Sequence, residues 1–236
     1  MSGTGHIHVV AGVVIDAAGR ILLAQRPQGR HLAGGWEFPG GKLDPGETRL
    51  GCLRRELDEE LGIAVEAAHP LIRVRHRYPE RAVLLDVWVV SRYRGVPTGR
   101  DGQQLRWCRV SALPRAELLP ADRPIVAALM LPERITARAT RTYEIVRAGD
   151  FRRARSARSR RLHGAHCGGP AEARAAAAAG ADFLVLKRAI TARALAALCD
   201  KVNVPVYARG IAPRAAREAG AAGVSAMRAA KCGGSP

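Results

Sequence analysis

The segment Gly41–Ile63, GKLDPGETRLGCLRRELDEELGI, sets glutamates, glycines and Arg55 at spacings suited to one kind of chemistry. Gly41 is followed by five residues and Glu47, then by seven residues and the run Arg55-Glu56-Leu57-Asp58-Glu59-Glu60-Leu61-Gly62-Ile63. On a helix, Glu56, Glu59 and Glu60 lie three and four residues apart and share a face, with Leu53, Leu57 and Leu61 on the opposite side. Like charges so placed repel by roughly a few tenths of a kcal/mol per pair. A hard divalent cation among them removes that repulsion, because Mg²⁺ and Mn²⁺ prefer carboxylate and carbonyl oxygens. The Gly40-Gly41 pair lets backbone approach the same metal, or a phosphate, closely. The chemistry implied is attack on phosphorus, which needs an activated nucleophile and countercharge for the non-bridging oxygens.

The flanking elements must hold this helix in place. His6–Ile15 and Arg20–Arg26 read as strands joined at the Asp16–Gly19 turn, a hairpin pattern. Pro27–Glu37 is a Gly-rich loop, and the recurrence of Leu50, Leu53, Leu57 and Leu61 predicts a helix over Glu47–Leu61, ended by Gly62. Strands follow at Leu71–Tyr78, Ala82–Tyr93 and Leu105–Val110, with a closing helix at Ala121–Leu131. Residues 1–131 therefore read as an α+β domain. Pro132–Arg161 holds ten arginines and only Glu133, Glu144 and Asp150 as acids, and residues 132–160 read as an Arg-rich linker. Residues 161–236 alternate strands and helices: Arg161–Cys167, Pro170–Ala179, Phe183–Leu186, Thr191–Val202, Val204–Ala208, Pro213–Ala219 and Gly223–Met227. That alternation predicts parallel sheet covered on both faces.

The chain has 236 residues, which suits one or two domains, and a formal net charge of +17. The excess is uneven: residues 1–131 carry a net +4 and residues 132–236 a net +13. No apolar run approaches the ~20 residues of a membrane span, and no basic residue precedes the first apolar stretch as a secretory signal requires. The five cysteines form no CxxC pair, so neither a disulfide framework nor a structural zinc site is expected, and the expected setting is the cytoplasm. His6 and His8 share a strand face but read as edge-strand surface, and His163, His166 and Cys167 lack a fourth metal ligand nearby.

Gly41–Ile63 matches the Nudix box GX5EX7REUXEEXGU, with U apolar, at every position. With Trp36-Glu37-Phe38-Pro39-Gly40-Gly41-Lys42, Arg26, His31, the Tyr78–Arg81 segment and Pro120–Leu129, the first part resembles the MutT-type 8-oxo-dGTP diphosphatases of the Nudix superfamily. The resemblance implies the Nudix fold, a mixed sheet between helices. It also implies Mg²⁺-dependent hydrolysis, with Mn²⁺ as a substitute, of 8-oxo-dGTP to 8-oxo-dGMP and pyrophosphate. Carried over, Glu56 is the general base, Arg55 holds the glutamates, and Glu59, Glu60 and the Gly40 carbonyl hold the metal, supported by Glu47. Asp101 matches a position usually held by a metal-site glutamate. Lys42 and Arg26 meet the phosphates, and Gly41, His31 and Arg81 join them in binding substrate. Phe38 and Asp122 form the base pocket. The best-matched members have Asn at the Asp122 position, and an ionised Asp accepts hydrogen bonds without donating any, so selectivity for the oxidised base does not carry over there. Gly51 replaces a common Ala at a cost of about 1 kcal/mol in a helix interior.

Residues 161–232 resemble the last part of thiamine-phosphate synthase (TenI-like) domains, on HGAHCGGPAEARAAAAAGADFLVLKRA, VNVPVYARGIAP and AGVSAMRA. The implied fold is an α/β partial TIM barrel of about four βα units, lacking its first strands and any synthase activity. Its open edges suit a dimer. Two alternatives stay open: a Nudix pyrophosphatase for a nucleotide sugar or ADP-ribose, and nucleic-acid binding through Arg134–Arg161.

Overall fold

The computed structural model describes residues 6–27, 29, 32–115, 117–136, 140–151 and 161–225. It divides into two compact units, residues 1–130 and 131–236. No described helix is long and apolar enough to cross a membrane.

In the first unit, β1 (Ile7–Val14), β4 (Gly40–Lys42), β5 (Ala64–Arg77) and β6 (Ala82–Arg94) form a four-stranded sheet in the order β4-β1-β6-β5. β1 runs parallel to β6 and antiparallel to β4, so the sheet is mixed. β2 (Ile21–Gln25), β3 (Trp36–Glu37) and β7 (Leu105–Cys108) form a separate three-stranded sheet in the order β3-β2-β7. The hairpin expected between the first two strands is thus reduced to a single bridge, Ile15 to Ile21. The Asp16 carboxylate holds the turn by accepting from the Ala18 and Arg20 amides, but the chain leaves it for the other sheet. β1 is also interior rather than an edge, and His8 lies 3.7 Å from the buried Asp86 carboxylate.

Helix α1 (Arg49–Leu61) is fixed at both ends. The Thr48 hydroxyl accepts from the Gly51 amide at 3.0 Å, and Gly62 closes the helix in the left-handed region at φ 70°. Gly51 thus lies in the first turn and supplies the capped amide. Leu53, Leu57 and Leu61 are fully buried against Val10, Val14, Leu22 and Trp88, each such burial contributing roughly 1.5–3 kcal/mol. With the leucines inward, the glutamates must face outward. The closing helix α2 (Arg123–Met130) follows a 3-10 turn at Pro120–Asp122.

The second unit is a six-stranded, all-parallel sheet in the order β8-β13-β12-β11-β10-β9. Its strands are β8 (Arg134–Ile135), β9 (Tyr143–Arg147), β10 (Leu162–Cys167), β11 (Phe183–Ala189), β12 (Val206–Arg209) and β13 (Gly223–Ser225). Helices α3 (Pro170–Ala178), α4 (Ala192–Cys199) and α5 (Pro213–Glu218) connect β10 to β13. The expected linker therefore corrects to structure: β8 and β9 fall inside it and form the two edges of this sheet. Residues 137–139, 152–160 and 226–236 of the arginine-rich segment and C-terminus lie outside the described residues. The helices cover one face, through Ala165, Cys167, Leu184, Leu195 and Val206. The other carries Tyr143, Phe183 and Tyr207, all nearly inaccessible. The sheet is a curled, parallel half-barrel.

Candidate active site

β4 pairs with β1 through Ala11 with Gly40 and Val10 with Gly41, which carries the glycine pair over the glutamate face of α1. The fit excludes any side chain. A Cβ on Gly41 would lie 2.1 Å from the Glu56 carboxyl carbon, and one on Gly40, at φ 145°, would lie 2.1 Å from the Val10 carbonyl oxygen. Glu60 reaches back to accept the Gly40 amide at 3.0 Å.

Arg55 organises the remaining acids. Its Nε and Nη2 donate to the two Glu47 oxygens at 3.0 Å each, and Nη1 donates to Glu56 at 2.9 Å and Glu59 at 3.2 Å. Nη2 also donates to the Lys42 carbonyl at 3.1 Å, tying the helix to β4. Such fork-shaped, charge-assisted pairing is specific to a guanidinium. The Arg55 hydrogen bond holds Glu47 below its ordinary range. Burial pushes Glu56 upward, reinforced by Glu59 and Glu47 against the opposing Arg55. Burial likewise pushes Glu60 up to about 7, with Glu56, Glu37 and Asp101 adding to it and the Gly40 amide opposing.

Among the described residues, no three His, Cys, Asp or Glu side chains are gathered as a ready metal cage. The donor set nevertheless suits a hard cation: carboxylate oxygens that raise one another's proton affinity, beside a glycine backbone that can be closely approached. Glu59 is exposed and Glu56 enclosed, with side-chain exposures of 59% and 14%. Asp101 is exposed and lines a small cleft with Glu60, Glu37 and Gln103.

A larger cleft of about 340 Å³ opens from this face. Glu56, Glu60, Gly40, Gly41 and Lys42 form one wall, and Arg26, Phe38, Tyr78, Arg81 and Asp122 line the remainder. Arg26 pairs with Glu37, leaving its buried Nε without a hydrogen-bond partner. Asp122, at the end of the 3-10 turn before α2, is 3% exposed, and its Oδ2 has no partner. Burial, with Glu37 adding to it and Arg26 opposing, holds this carboxyl well above the ordinary range. The acceptor-only Asp expected from sequence therefore sits where the neutral acid, which can donate as well as accept, is favoured.

Among the residues expected at the site, the structure gathers Glu56, Glu60, Gly40, Gly41, Lys42, Arg26, Phe38, Arg81 and Asp122 around one cleft. Arg55, Glu47 and Glu59 adjoin it through hydrogen bonds, and Asp101 lies beyond Glu60. His31 is outside the described residues. Glu37 and Tyr78 received no role from sequence, although Glu37 lines both clefts and Tyr78 the larger one. His166 and Cys167 fall on opposite faces of β10, and the His163 ring lies 3.0 Å from the Glu144 carboxylate, so these three form no cluster.

A sheet-backed helix presenting carboxylates beneath a glycine turn defines a framework for metal-assisted hydrolysis. A family model described as NUDIX domain matches residues 10–128. The chain is 37% identical over 124 residues to an 8-oxo-dGTP diphosphatase of Haemophilus influenzae, covering 52% of this chain and 91% of that protein. It is 39% identical over 124 residues to a CTP pyrophosphohydrolase of Escherichia coli, covering 52% and 91% respectively. The solution structure of the E. coli ORF135 protein matches with a TM-score of 0.50 at 36% identity, over 55% of this chain and 92% of that one. The chain belongs to the Nudix hydrolase family through its first unit. Members of this family generally use divalent metals.

Proposed function

We propose that the first unit hydrolyses oxidised purine nucleoside triphosphates, 8-oxo-dGTP foremost, to the monophosphate and pyrophosphate, removing them from the nucleotide pool. One observation carries the reading: a single cleft joins the glutamate face of α1 to a nearly inaccessible carboxyl at Asp122 whose Oδ2 has no hydrogen-bond partner. Glu59, Glu60 and the Gly40 carbonyl, supported by Glu47 and Asp101, would hold Mg²⁺ or Mn²⁺, which when bound supplies Lewis-acid stabilisation of phosphate charge.

Glu56 serves as general base toward the attacking water, its burial having raised its affinity for that proton. Arg55 fixes Glu56 and Glu47 relative to β4 and stays outside the proton transfer. Lys42, Arg26 and Arg81 supply positive charge along the cleft for the triphosphate, and Gly41 keeps the approach open. Phe38 packs on the base, while Asp122 as a neutral acid both donates to and accepts from its edge. This restores the donor-and-acceptor capacity that the resemblance to MutT-type enzymes implies for an Asn at that position.

The test is a substrate panel. The full chain with Mg²⁺ is expected to give the highest kcat/KM with 8-oxo-dGTP among 8-oxo-dGTP, dGTP, CTP, ADP-ribose and a nucleotide sugar. A preference for CTP or ADP-ribose would overturn the substrate while leaving the glutamate chemistry standing.

A further inference from the structure

Large apolar side chains are seldom left in water without a reason. Among the described residues, those exposed are Leu32, at 39%, and Val96. Val96 lines neither cleft, whereas Leu32 lines the larger one. Among the described residues, Leu32 is also the only non-glycine with positive φ, at 62°. That left-handed conformation brings the Cβ of an L-residue too close to the following carbonyl oxygen, and a bulky apolar residue has no polar side chain to compensate locally. The same loop carries glycine at two other left-handed positions, Gly29 and Gly34. A leucine at position 32 is therefore strained, and with so much of it exposed, burial in the core does not offset the strain.

The backbone around Leu32 is held in place. The Arg26 amide donates to the Gly35 carbonyl and the Gly34 amide to the Arg26 carbonyl, each at 2.9 Å, so the loop closes on the end of β2. The Gly35 amide donates to the Leu32 carbonyl at 3.3 Å, and the Gln25 side chain to the Gly34 carbonyl at 3.0 Å. Gly35 packs directly on Leu119, where a Cβ would lie 2.5 Å from the Leu119 Cδ2. Next to it, the Trp36 amide donates to the Glu117 carbonyl at 2.9 Å and the Leu119 amide to the Trp36 carbonyl at 3.0 Å. The loop is thus seated against the segment that leads into the Asp122 turn. Phe38, Leu119 and Ala121 give the cleft a buried apolar wall beside Asp122, and the exposed Leu32 stands at its rim. Strain that the surroundings hold in place clusters at ligand clamps. The surface that Leu32 lacks in the free protein is one that a flat, largely apolar ring would supply.

Resting on the nucleotide-hydrolase reading above, we propose that Leu32 is a specificity-determining residue whose side chain covers the outer part of the bound nucleobase, enclosing it against the buried wall. A purine, with two fused rings, extends further toward the rim than a pyrimidine, so the contact favours purines. Calorimetric titration of the full chain, in Mg²⁺, with 8-oxo-dGMP, CMP and inorganic triphosphate tests it. Leu32→Ala should raise the dissociation constant for 8-oxo-dGMP about tenfold, the scale of a leucine side chain left in water, and that for CMP by less. Inorganic triphosphate, which has no base, should bind wild type and variant equally. Leu32→Gly relieves the backbone and should match the alanine variant in binding without lowering Tm, whereas Leu32→Met should keep most of the affinity. An equal loss for inorganic triphosphate, a loss for CMP as large as for 8-oxo-dGMP, or a methionine variant as weak as alanine would overturn the proposal. So would no loss at all, or no binding of 8-oxo-dGMP by the wild type. The wild type's own ranking of the two nucleotides tests the substrate reading and the effect of truncation tests Leu32, so each can fail while the other stands.

Discussion

The glutamate face of α1 and the cationic mouth of the second unit solve opposite electrostatic problems by different means. On α1 the acids come from one short stretch of chain, and Arg55 is built in among them as an internal counterion. At the mouth, His166, Lys187 and Arg209 come from three strands separated by whole helices, and no described carboxylate is set against them. A local motif can carry its own neutralisation, whereas a site assembled across strands exists only once the sheet has formed. The first arrangement is suited to receiving a cation.

Substitutions can break each side of this contrast separately. The largest effect is expected at Glu56→Gln, which removes the base while keeping its shape: kcat for 8-oxo-dGTP should fall about 10³-fold, read by pyrophosphate release. Phe183→Ala strips the aromatic layer from the second unit and should destabilise that unit by roughly 3–5 kcal/mol. Denaturant unfolding followed by histidine resonances of residues 163 and 166 would show it, with kcat unchanged. Gly41→Ala drives a methyl group into the Glu56 carboxyl, and displacement on that scale should cost about 10²-fold in kcat with little change in Tm.

The smallest effect concerns base choice. The folded-state pKa of Asp122 is raised, so its donating form predominates below that value and is lost as pH rises through it. The 8-oxo-dGTP over dGTP ratio of kcat/KM should therefore decline with rising pH in the wild type and stay flat in Asp122→Asn. Equal pH profiles would remove Asp122 from base recognition.

What the sequence made legible follows the same division. α1, its glycine stop and its two faces were readable because a period of three and four residues is a local property. The strands β8 and β9 were hidden among arginines: one has two residues, and both pair in parallel with partners distant in the chain. The Asp16–Gly19 turn looked like a hairpin because the same local bonds serve a chain passing between two sheets. Glu37 sat in view within the Trp36–Lys42 run, but its pairing with Arg26 needed β3 beside β2. Asp122 read as an acceptor because burial, which decides its protonation, is a property of the folded cleft.

The most direct measurement is the product balance when the full chain and Mg²⁺ act on 8-oxo-dGTP. One 8-oxo-dGMP and one pyrophosphate per substrate consumed is the predicted result. Orthophosphate with the diphosphate, or no turnover at all, would contradict it.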